Sequence, residues 1–345
     1  MNYVNFGNSG VKVSPIALGL GLRSESDQKR AEKFIRSTID LGINLIDCAN
    51  VYGLTDDRKY AGSSEEILGR VIKPIRDDVV ITSKVTGEVG FGPNDYGSSR
   101  YHIMREVERS LKRLNTDHID VYILHGPDET TPMEEIIRAM DDLVRSGKIL
   151  YAGCSNYKAW EIYRGLSISE KTNSTSFITM HNPYSLMNRQ LEDEHFSLAK
   201  HTGVGIMAYS PLGIGLLSGI YDPKEGPKKG TLWARKGYMN KGVFSGLMQG
   251  RVVGLLESLI TIAKNKGATV PQIALSWVLS HPEVSVAISG ADKIEQMEEN
   301  ILAVDIQLEQ NEINELNNKS KGLRYVIDGA KLEDIEEVNN LNRFK

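Results

Sequence analysis

The sequence predicts an α/β fold, namely a (β/α)8 TIM barrel with an N-terminal β-hairpin and long loops at the C-terminal face. Eight short apolar runs recur along the 345 residues, and amphipathic helical segments separate them. The runs are continuous rather than alternating, as expected of strands that are buried on both faces. Eight such units make up this barrel, which commonly forms one domain at this length. The predicted strands are 16–19, 43–47, 79–84, 119–125, 150–155, 177–180, 205–210 and 284–289.

Start signals mark several of the predicted helices. Helical spacing of apolar residues is clearest over 101–114 and 133–145. Pro132 stands at the position where proline favours the first turn of a helix. Three segments have the spacing of a capping box, and they begin at Ser63, Thr131 and Asp292.

The segment ahead of the first barrel strand departs from the repeat. Residues 3–6 and 11–13 flank the turn 7–10, and this pattern predicts a β-hairpin. We expect the hairpin to close the bottom of the barrel. We further expect one barrel domain over residues 1–319 and a C-terminal tail over 320–345.

The stretch from 217 to about 250 is the second departure. It is rich in Gly and Lys, and it is far longer than an ordinary strand-to-helix connection of about 2 to 6 residues. Long loops at the C-terminal face of a barrel are usually functional. Trp233, Tyr238 and Phe244 are therefore candidates for lining a substrate pocket, with packing inside the loop as the alternative.

A doubly wound sheet is the alternative architecture. It would place a Gly-x-Gly-x-x-Gly turn after an early strand to hold a dinucleotide. Gly19 and Gly21 start that pattern, but Ser24 stands where the third glycine is required. The sequence therefore favours the barrel.

Composition and charge exclude several classes of protein. The 41 Lys and Arg residues nearly balance the 45 Asp and Glu residues without forming a basic run, so we expect no nucleic-acid partner. Cys48 and Cys154 are too few for a disulfide framework or a cysteine zinc site, and we expect both to be small buried side chains. No apolar run reaches the roughly 18 residues of a membrane helix, and we expect no signal peptide. We expect a cytoplasmic protein with a small-molecule substrate, no membrane partner and no metal, while the sequence predicts no oligomeric state.

Polar side chains stand at the ends of three successive predicted strands. Asp47 ends the second strand, Lys84 the third and His125 the fourth, while Tyr52 follows Asp47 by five residues. Each alone has a structural explanation, as a turn cap, a packing residue or a satisfied core histidine. Together they point into one barrel mouth, where this fold carries its chemistry. A buried charge there requires a partner, and pairing Lys84 with Asp47 satisfies both.

Tyr52 becomes a candidate acid through its neighbour Lys84. A free tyrosine hydroxyl has a pKa of about 10, which is too high for an efficient acid at neutral pH. An ammonium about 4 Å away, at an effective dielectric of about 20, lowers that pKa by at most about 3 units. His125 would orient a substrate oxygen against Tyr52 or share its proton. Such a site has neither a nucleophile nor a metal cluster, so it suits proton delivery to a carbonyl.

Four stretches of the sequence resemble the aldo-keto reductases. Residues 47–53, Asp-Cys-Ala-Asn-Val-Tyr-Gly, resemble the family's Asp-x-Ala-x-x-Tyr-Gly signature, and 64–69 resemble the helix that follows it. Residues 111–125 are similar to the stretch that carries the family's histidine, and 153–157 to its Gly-x-Ser-Asn-Phe/Tyr motif. The resemblance runs from residue 3 to about residue 318.

The resemblance implies a barrel that binds NADP(H) in extended form and reduces an aldehyde or ketone to an alcohol. Hydride would pass directly from the nicotinamide to the carbonyl carbon while a protein acid protonates the oxygen. By the same resemblance, Asp47, Tyr52, Lys84 and His125 form the catalytic tetrad, with Tyr52 as the proton donor. Neither a metal nor a covalent intermediate is implied.

The resemblance also implies the cofactor contacts. Ser155 and Asn156 would hold the carboxamide of the nicotinamide, and Tyr209 would stack on its ring. The loop 211–219 would run beside the pyrophosphate, and the helix start within 289–300 would favour the 2′-phosphate. The predicted cofactor residues are Gly19, Asp47, Ser155, Asn156, His181, Tyr209, Ser210, Pro211, Leu212, Gly213, Gly290, Gln296, Glu299 and Asn300.

Several positions depart from the family's pattern. His181 and Ser185 stand in place of a glutamine and an asparagine, and His181 is kept as a cofactor ligand because imidazole donates and accepts. Gln296 replaces an arginine near the 2′-phosphate, and Ile220 replaces a lysine near the pyrophosphate. The interpretation still favours NADPH over NADH.

Two alternatives to a carbonyl reductase stay open at this point. The first is a cofactor-binding regulatory subunit on the same barrel, like those that accompany potassium channels. The second is an NAD-dependent dehydrogenase that oxidises a sugar or an alcohol. Multiple turnovers with aldehydes would distinguish the first, and a comparison of cofactor affinities would distinguish the second.

Overall fold

The structure, a computed structural model, describes residues 1–22, 25–227, 231–234 and 241–324. The strands in this part of the chain are β1 (Val4–Asn5), β2 (Lys12–Val13), β3 (Ile16–Gly19), β4 (Leu45–Asp47), β5 (Val80–Val85), β6 (Ile119–Leu124), β7 (Ile149–Ser155), β8 (Phe177–Pro183), β9 (Gly205–Tyr209) and β10 (Val284–Ser289). The last eight close into a parallel barrel in the order β10-β3-β4-β5-β6-β7-β8-β9. The predicted barrel is thereby confirmed, and all eight of its predicted strands are present.

Helices connect the barrel strands and cover the outside of the barrel. They are α1 (Gln28–Asp40), α2 (Ser63–Ile72), α3 (Arg100–Leu114), α4 (Met133–Arg145), α5 (Ala159–Thr172), α6 (His195–Thr202), α7 (Lys241–Leu247), α8 (Arg251–Lys266), α9 (Val270–Leu279), α10 (Ile294–Ile301) and α11 (Gln310–Ser320). The helices predicted over 101–114 and 133–145 are α3 and α4. Over the described ranges, every helix is too short or too polar to span a bilayer.

Alternate side chains of the barrel strands point into the barrel and form one buried apolar cluster. Its barrel members are Ala17, Leu45, Val121, Ile123, Ile178, Met207, Val286 and Ile288. Phe6 and Val13 of the β1–β2 hairpin belong to the same cluster, so the hairpin closes one end of the barrel as predicted. Side chains alternate along a strand, so the residue two positions after an inward-facing cluster member also points into the barrel. These residues lie nearer the C-terminal ends of the strands, where the mouth of the barrel is.

The outward faces of the strands pack against the helices in a larger apolar cluster. Cys48 and Cys154 lie in that cluster, and both are fully buried. Burial raises the pKa of both thiols, so neither forms a thiolate readily. The two cysteines are the small buried side chains that the sequence predicts.

The three predicted capping boxes are wrong in their cap residue. Helix α2 has Gly62 at its N-cap, and Ser63 already lies inside the helix. The Ser63 hydroxyl accepts instead from the amide of Leu54 in the preceding loop. Pro132 occupies the N-cap of α4, and Lys293 occupies that of α10. The spacing identified the right helices, but loop geometry shifted each start by one residue.

The long segment after β9 packs on the barrel with its own aromatic residues. Trp233 donates from Nε1 to the carbonyl of Ile214 at 2.9 Å. The rings of Trp233 and Phe244 lie 5.9 Å apart, and both residues are buried. Of the two interpretations of these aromatics, packing is the one observed, while Tyr238 lies outside the described residues.

The chain beyond α11 returns to the barrel. The carbonyl of Leu323 accepts the amide of Arg189 at 2.8 Å, and Arg324 pairs with Asp193. The rest of the predicted tail, 325–345, lies outside the described residues. The domain boundary at 319 therefore stays a prediction.

Candidate active site

Six polar side chains converge on the mouth of the barrel from successive strands. They reach it because each stands near the C-terminal end of its strand, in step with the inward-facing residues before it. The exception is β8, where a register shift puts His181 three positions after the inward-facing Ile178. They are Asp47 of β4, Lys84 of β5, His125 after β6, Ser155 of β7, His181 of β8 and Tyr209 of β9. The parallel pairing puts Asp47 beside Thr82 and Ser155 beside His181.

Asp47 and Lys84 form a buried ion pair. The Lys84 ammonium donates to Asp47 Oδ1 at 2.6 Å, to Oδ2 at 2.7 Å and to the carbonyl of Cys48 at 2.9 Å. Asp47 Oδ1 also accepts from the Thr82 hydroxyl at 2.6 Å. Burial by itself lowers the pKa of Lys84, but the charges of Asp47 and Tyr52 hold it above its usual value. Lys84 is therefore a permanent cation at the centre of the site.

Tyr52 lies over this cation and beside His125. The Lys84 nitrogen is 4.6 Å from the centroid of the Tyr52 ring. The Tyr52 hydroxyl is 3.3 Å from His125 Nε2, and the two rings meet edge to face at 75°. Gly53 permits this placement, since a Cβ there would lie 2.1 Å from the carbonyl oxygen of Tyr60. The close approach of the Tyr60 carbonyl therefore explains why a glycine follows the tyrosine.

His125 is neutral at physiological pH. Burial in the mouth, together with Lys84 and His181, lowers the pKa of His125 to about 3. Its backbone is fixed by the amide, which donates to the carbonyl of Val85 at 2.7 Å. His125 can therefore exchange hydrogen bonds with Tyr52 or with a bound oxygen, but it brings no charge to them.

A connected set of hydrogen bonds forms the opposite side of the mouth. Asn156 donates from Nδ2 to the carbonyl of His125 at 3.0 Å and to Ser155 Oγ at 3.1 Å. The Tyr209 hydroxyl donates to Asn156 Oδ1 at 2.9 Å. Asn156 has a left-handed backbone, with φ 62°, which asparagine adopts more readily than most residues. These contacts fix the side chains that the resemblance places around a nicotinamide.

His181 completes that side of the mouth. It is buried, its Nδ1 lies 2.9 Å from Ser155 Oγ, and its ring lies 4.8 Å from that of Tyr209. Burial and Lys84 hold the pKa of His181 well below its usual range. Its Nε2 has no hydrogen-bond partner among the described residues. A buried polar atom without a partner fits a site that receives a polar ligand.

The loop after β9 and the start of α10 carry the remaining predicted cofactor residues. Positive φ at Ser210 (51°) and Gly213 (56°) accompanies a turn in which the Gly213 amide donates to the Ser210 carbonyl. At α10, Gln296 Oε1 accepts the amides of Asp292 and Lys293 at 2.8 and 3.2 Å. The side chain of Gln296 thus occupies donors that a helix start otherwise offers to an anion.

Most of the other predicted cofactor residues pack against the protein or hydrogen-bond to it. Asn300 is buried and donates to Ser289 Oγ at 2.9 Å, so its amide is turned toward the end of β10. Gly19 pairs with Asp47 in register, and a Cβ on Gly19 would lie 2.7 Å from Ile288 Cγ2. Leu212 packs partly buried against the outer core, whereas Gly290 has open space around its Cα. Glu299 engages the protein through its carbonyl, which accepts from Gln272.

Thr82 is a site residue that the sequence analysis missed. Its hydroxyl donates to Asp47 and leaves Oδ1 of that carboxylate with two donors. The signal was present in the sequence, because Thr82 precedes Lys84 by two residues and therefore shares its face of the strand. No group of three or more His, Cys, Asp or Glu side chains that could hold a metal ion occurs in the described ranges.

Comparisons with known proteins show the family of the chain. A sequence model of the Aldo/keto reductase family matches residues 15–321. The uncharacterized oxidoreductase YrpG of Bacillus subtilis (strain 168) is 34% identical over 92% of this chain and 95% of its own. L-glyceraldehyde 3-phosphate reductase of Escherichia coli (strain K12) is 32% identical over 88% of each chain. A probable voltage-gated potassium channel subunit beta of Arabidopsis thaliana is 34% identical over 89% of this chain and 92% of its own. The chain therefore belongs to the aldo/keto reductase family, whose oxidoreductases generally use a nicotinamide cofactor.

Proposed function

We propose that the protein reduces an aldehyde or ketone to an alcohol with NADPH, with Tyr52 as the general acid. The observation that carries this proposal is the series of contacts in which Asp47 pairs with Lys84 and Lys84 lies against the ring of Tyr52. A buried cation lies 4.6 Å from the ring of a tyrosine whose hydroxyl faces the mouth beside a neutral histidine. Family membership supports an oxidoreductase.

The chain's own contribution is to place and polarise the carbonyl and to move one proton. NADPH supplies the hydride when it is bound. Tyr52 gives its hydroxyl proton to the carbonyl oxygen, and Lys84 stabilises the phenolate that forms. An ammonium about 4 Å from a phenolate charge contributes roughly 4 kcal/mol at most, part of which the Asp47 charge offsets. A carbonyl oxygen within reach of both Tyr52 and His125 Nε2 would be held by two hydrogen bonds.

The residues opposite Tyr52 fit the nicotinamide end of the cofactor. Ser155, Asn156 and the unpartnered Nε2 of His181 offer the polar atoms that a carboxamide needs. Tyr209 offers the face of a ring that a hydrogen bond to Asn156 holds in place. Residues 211–219 would lie beside the pyrophosphate.

The proposed contacts at the adenosine end lie on α10 and just before it. Gly290 precedes α10, Gln296 lies in its first turn, and Glu299 and Asn300 lie in its last turn; all four stay proposed contacts. Lys293, exposed at the N-cap of α10, provides a cation for a 2′-phosphate. This lysine favours NADPH over NADH, although Gln296 already occupies two amides of the helix start.

A second candidate function is that of a cofactor-binding regulatory subunit. The similarity to the potassium channel subunit beta of Arabidopsis thaliana favours it. Such a subunit would bind NADPH and release it slowly, without sustained turnover. Many catalytic cycles per protein with an aldehyde would exclude a purely regulatory role.

The test is consumption of NADPH and of NADH with a panel of aldehydes and ketones. We expect turnover that prefers NADPH and falls by about 100-fold or more in Tyr52→Phe, because the proton donor is removed. Binding of NADPH, followed by its fluorescence, should stay near that of the wild type. Tyr163→Phe, which alters an exposed residue of α5, is the matched control. Tyr52→Phe with undiminished turnover would assign the acid elsewhere.

A further inference from the structure

His181 lies where the two sides of the site meet. It comes from the C-terminal end of β8, and its ring is tilted by 36° against that of Tyr209 at 4.8 Å. Nδ1 lies 2.9 Å from Ser155 Oγ, whereas Nε2 lies 4.0 Å from Asp47 Oδ2. The ring thus spans the gap between the cofactor side of the mouth and the Asp47–Lys84 pair.

The neighbouring hydrogen bonds place the proton of the ring on Nε2. The carbonyl of His125 only accepts, so Asn156 must present Nδ2 to it, and the same Nδ2 donates to Ser155 Oγ. The Ser155 hydroxyl then donates to His181 Nδ1, which is the acceptor it contacts in the described part of the chain. A neutral imidazole protonates one nitrogen. The hydrogen is therefore on Nε2, the nitrogen nearer to Asp47.

The groups around the ring keep it neutral. Among the described residues, the titratable and charged side chains that face it are Asp47 of β4, Lys84 of β5, His125 after β6 and Tyr209 of β9. Tyr52 lies one step further away, over Lys84 and beside His125. Burial and the Lys84 charge hold the pKa of His181 well below its usual range. At neutral and mildly acidic pH the ring therefore acts as a fixed dipole and not as a cation.

We propose that His181 is a positioning residue whose Nε2–H faces Asp47 and thereby makes Tyr52 a stronger acid. This rests on the proposed function, in which Tyr52 protonates the substrate. Asp47 Oδ1 accepts from Thr82 and Lys84, whereas Oδ2 accepts from Lys84. A separation of 4.0 Å is too long for a hydrogen bond, so the Nε2–H acts on Oδ2 as a dipole on a charge.

The dipole changes the electrostatic potential that Lys84 and Asp47 together produce at the Tyr52 hydroxyl. An N–H that faces Oδ2 stabilises the negative charge of Asp47 in place. The positive end of the N–H also cancels part of the field of that carboxylate at the Tyr52 hydroxyl, so the ammonium is offset less and the phenolate becomes easier to form. Replacing His181 with a group that lacks this N–H should make Tyr52 a weaker acid.

Three substitutions separate the two ends of the ring. His181→Phe keeps the ring beside Tyr209 and removes both nitrogens. His181→Gln puts an amide near the position of Nε2, and His181→Asn puts one near that of Nδ1. The reduction requires protonated Tyr52, so kcat falls as the pH rises through its pKa. We expect this alkaline limb to move up by about half a pH unit in the Phe and Asn variants and to stay in place in the Gln variant.

Two results would overturn the proposal: an alkaline limb that is the same in all four proteins while KM for NADPH rises, or one that shifts equally in all three variants. The first result would make His181 a cofactor contact alone. The second would make it a packing residue.

A titration of Tyr52 in the absence of turnover tests the role of His181 independently of the proposed function. The absorbance of tyrosinate is measured against pH for each protein and for the same protein carrying Tyr52→Phe, and the difference reports the acidity of Tyr52. If no carbonyl is reduced but the difference titration shifts as described, the proposed function fails and the role of His181 stands. If the wild type reduces carbonyls but the difference titration is the same in every variant, the role of His181 fails alone.

Discussion

Lys84 and Asp47 are joined by two hydrogen bonds of 2.6 and 2.7 Å inside the barrel mouth, where Lys84 is fully buried. The third donor of the ammonium is taken by the carbonyl of Cys48. Because both charges are removed from water, neither is tolerated without the other. Stability and the proposed chemistry therefore depend on the same contact.

Lys84→Met should damage both properties. It leaves the Asp47 carboxylate buried without its partner, so the free energy of unfolding should fall by about 3 to 5 kcal/mol. Turnover should fall by about 1,000-fold, because the Tyr52 phenolate loses its stabilising cation. Urea unfolding and steady-state kinetics measure the two effects.

The double variant Asp47→Asn with Lys84→Met is the control for that prediction. It removes both charges, so most of the lost stability should return while turnover stays low. A double variant as unstable as Lys84→Met alone would show that packing, and not the unpaired charge, causes the loss.

Stability should decline as the pH falls below about 6.5, the ordinary pKa of histidine. Folding lowers the pKa of His125 to about 3 and that of His181 well below its usual range. Between these values and 6.5 the unfolded chain binds protons that the folded protein does not, so acid favours unfolding. Each histidine should remove about 1.4 kcal/mol per pH unit below its unfolded pKa. Urea unfolding at pH 7.5, 6.5 and 5.5 measures the slope.

His125→Phe should make that slope shallower by the contribution of one histidine. His201→Gln is the matched control, since His201 is exposed at the end of α6. Equal slopes in the wild type and in His125→Phe would mean that His125 accepts its proton in the folded state, contrary to its half-buried position beside Lys84.

Thr82→Val tests the hydrogen bond that supports Asp47. The substitution keeps the shape of the side chain and removes the donor 2.6 Å from Oδ1. We expect a loss of about 1.5 to 3 kcal/mol in stability, as for a hydrogen bond to a charged group, and a fall of severalfold in kcat. Thr38→Val is the control, because the buried Thr38 hydroxyl has no hydrogen-bond partner in the part of the chain that the structure describes, so its removal should be neutral or stabilising. Equal losses in the two variants would trace the effect to the exchange of a buried hydroxyl for a methyl group and not to the hydrogen bond with Asp47.

The sequence predicted the barrel and the convergence of Asp47, Lys84 and His125, because strand ends of a parallel barrel meet at one mouth. It did not predict Thr82, whose role depends on the register that sets it beside Asp47. It also misplaced the cap of α10, because the spacing that marks Asp292 does not reveal that Gln296 folds back on the helix start. Periodicity identifies elements and faces, whereas partners across strands and side-chain direction depend on tertiary contacts.

Gly53→Ala should disable the site without touching a reacting group. A Cβ there would lie 2.1 Å from the Tyr60 carbonyl oxygen and 3.0 Å from Ser63 Oγ, so the turn that carries Tyr52 must move. A displacement of about 1 Å at the acid costs roughly 100-fold in turnover, and the strain costs about 1 to 3 kcal/mol in stability. Gly10→Ala is the control, since a Cβ at Gly10 meets open space. Kinetics and urea unfolding of both variants check this. Turnover of Gly53→Ala within about twofold of wild type would mean that the turn tolerates the shift and that Tyr52 does not depend on it.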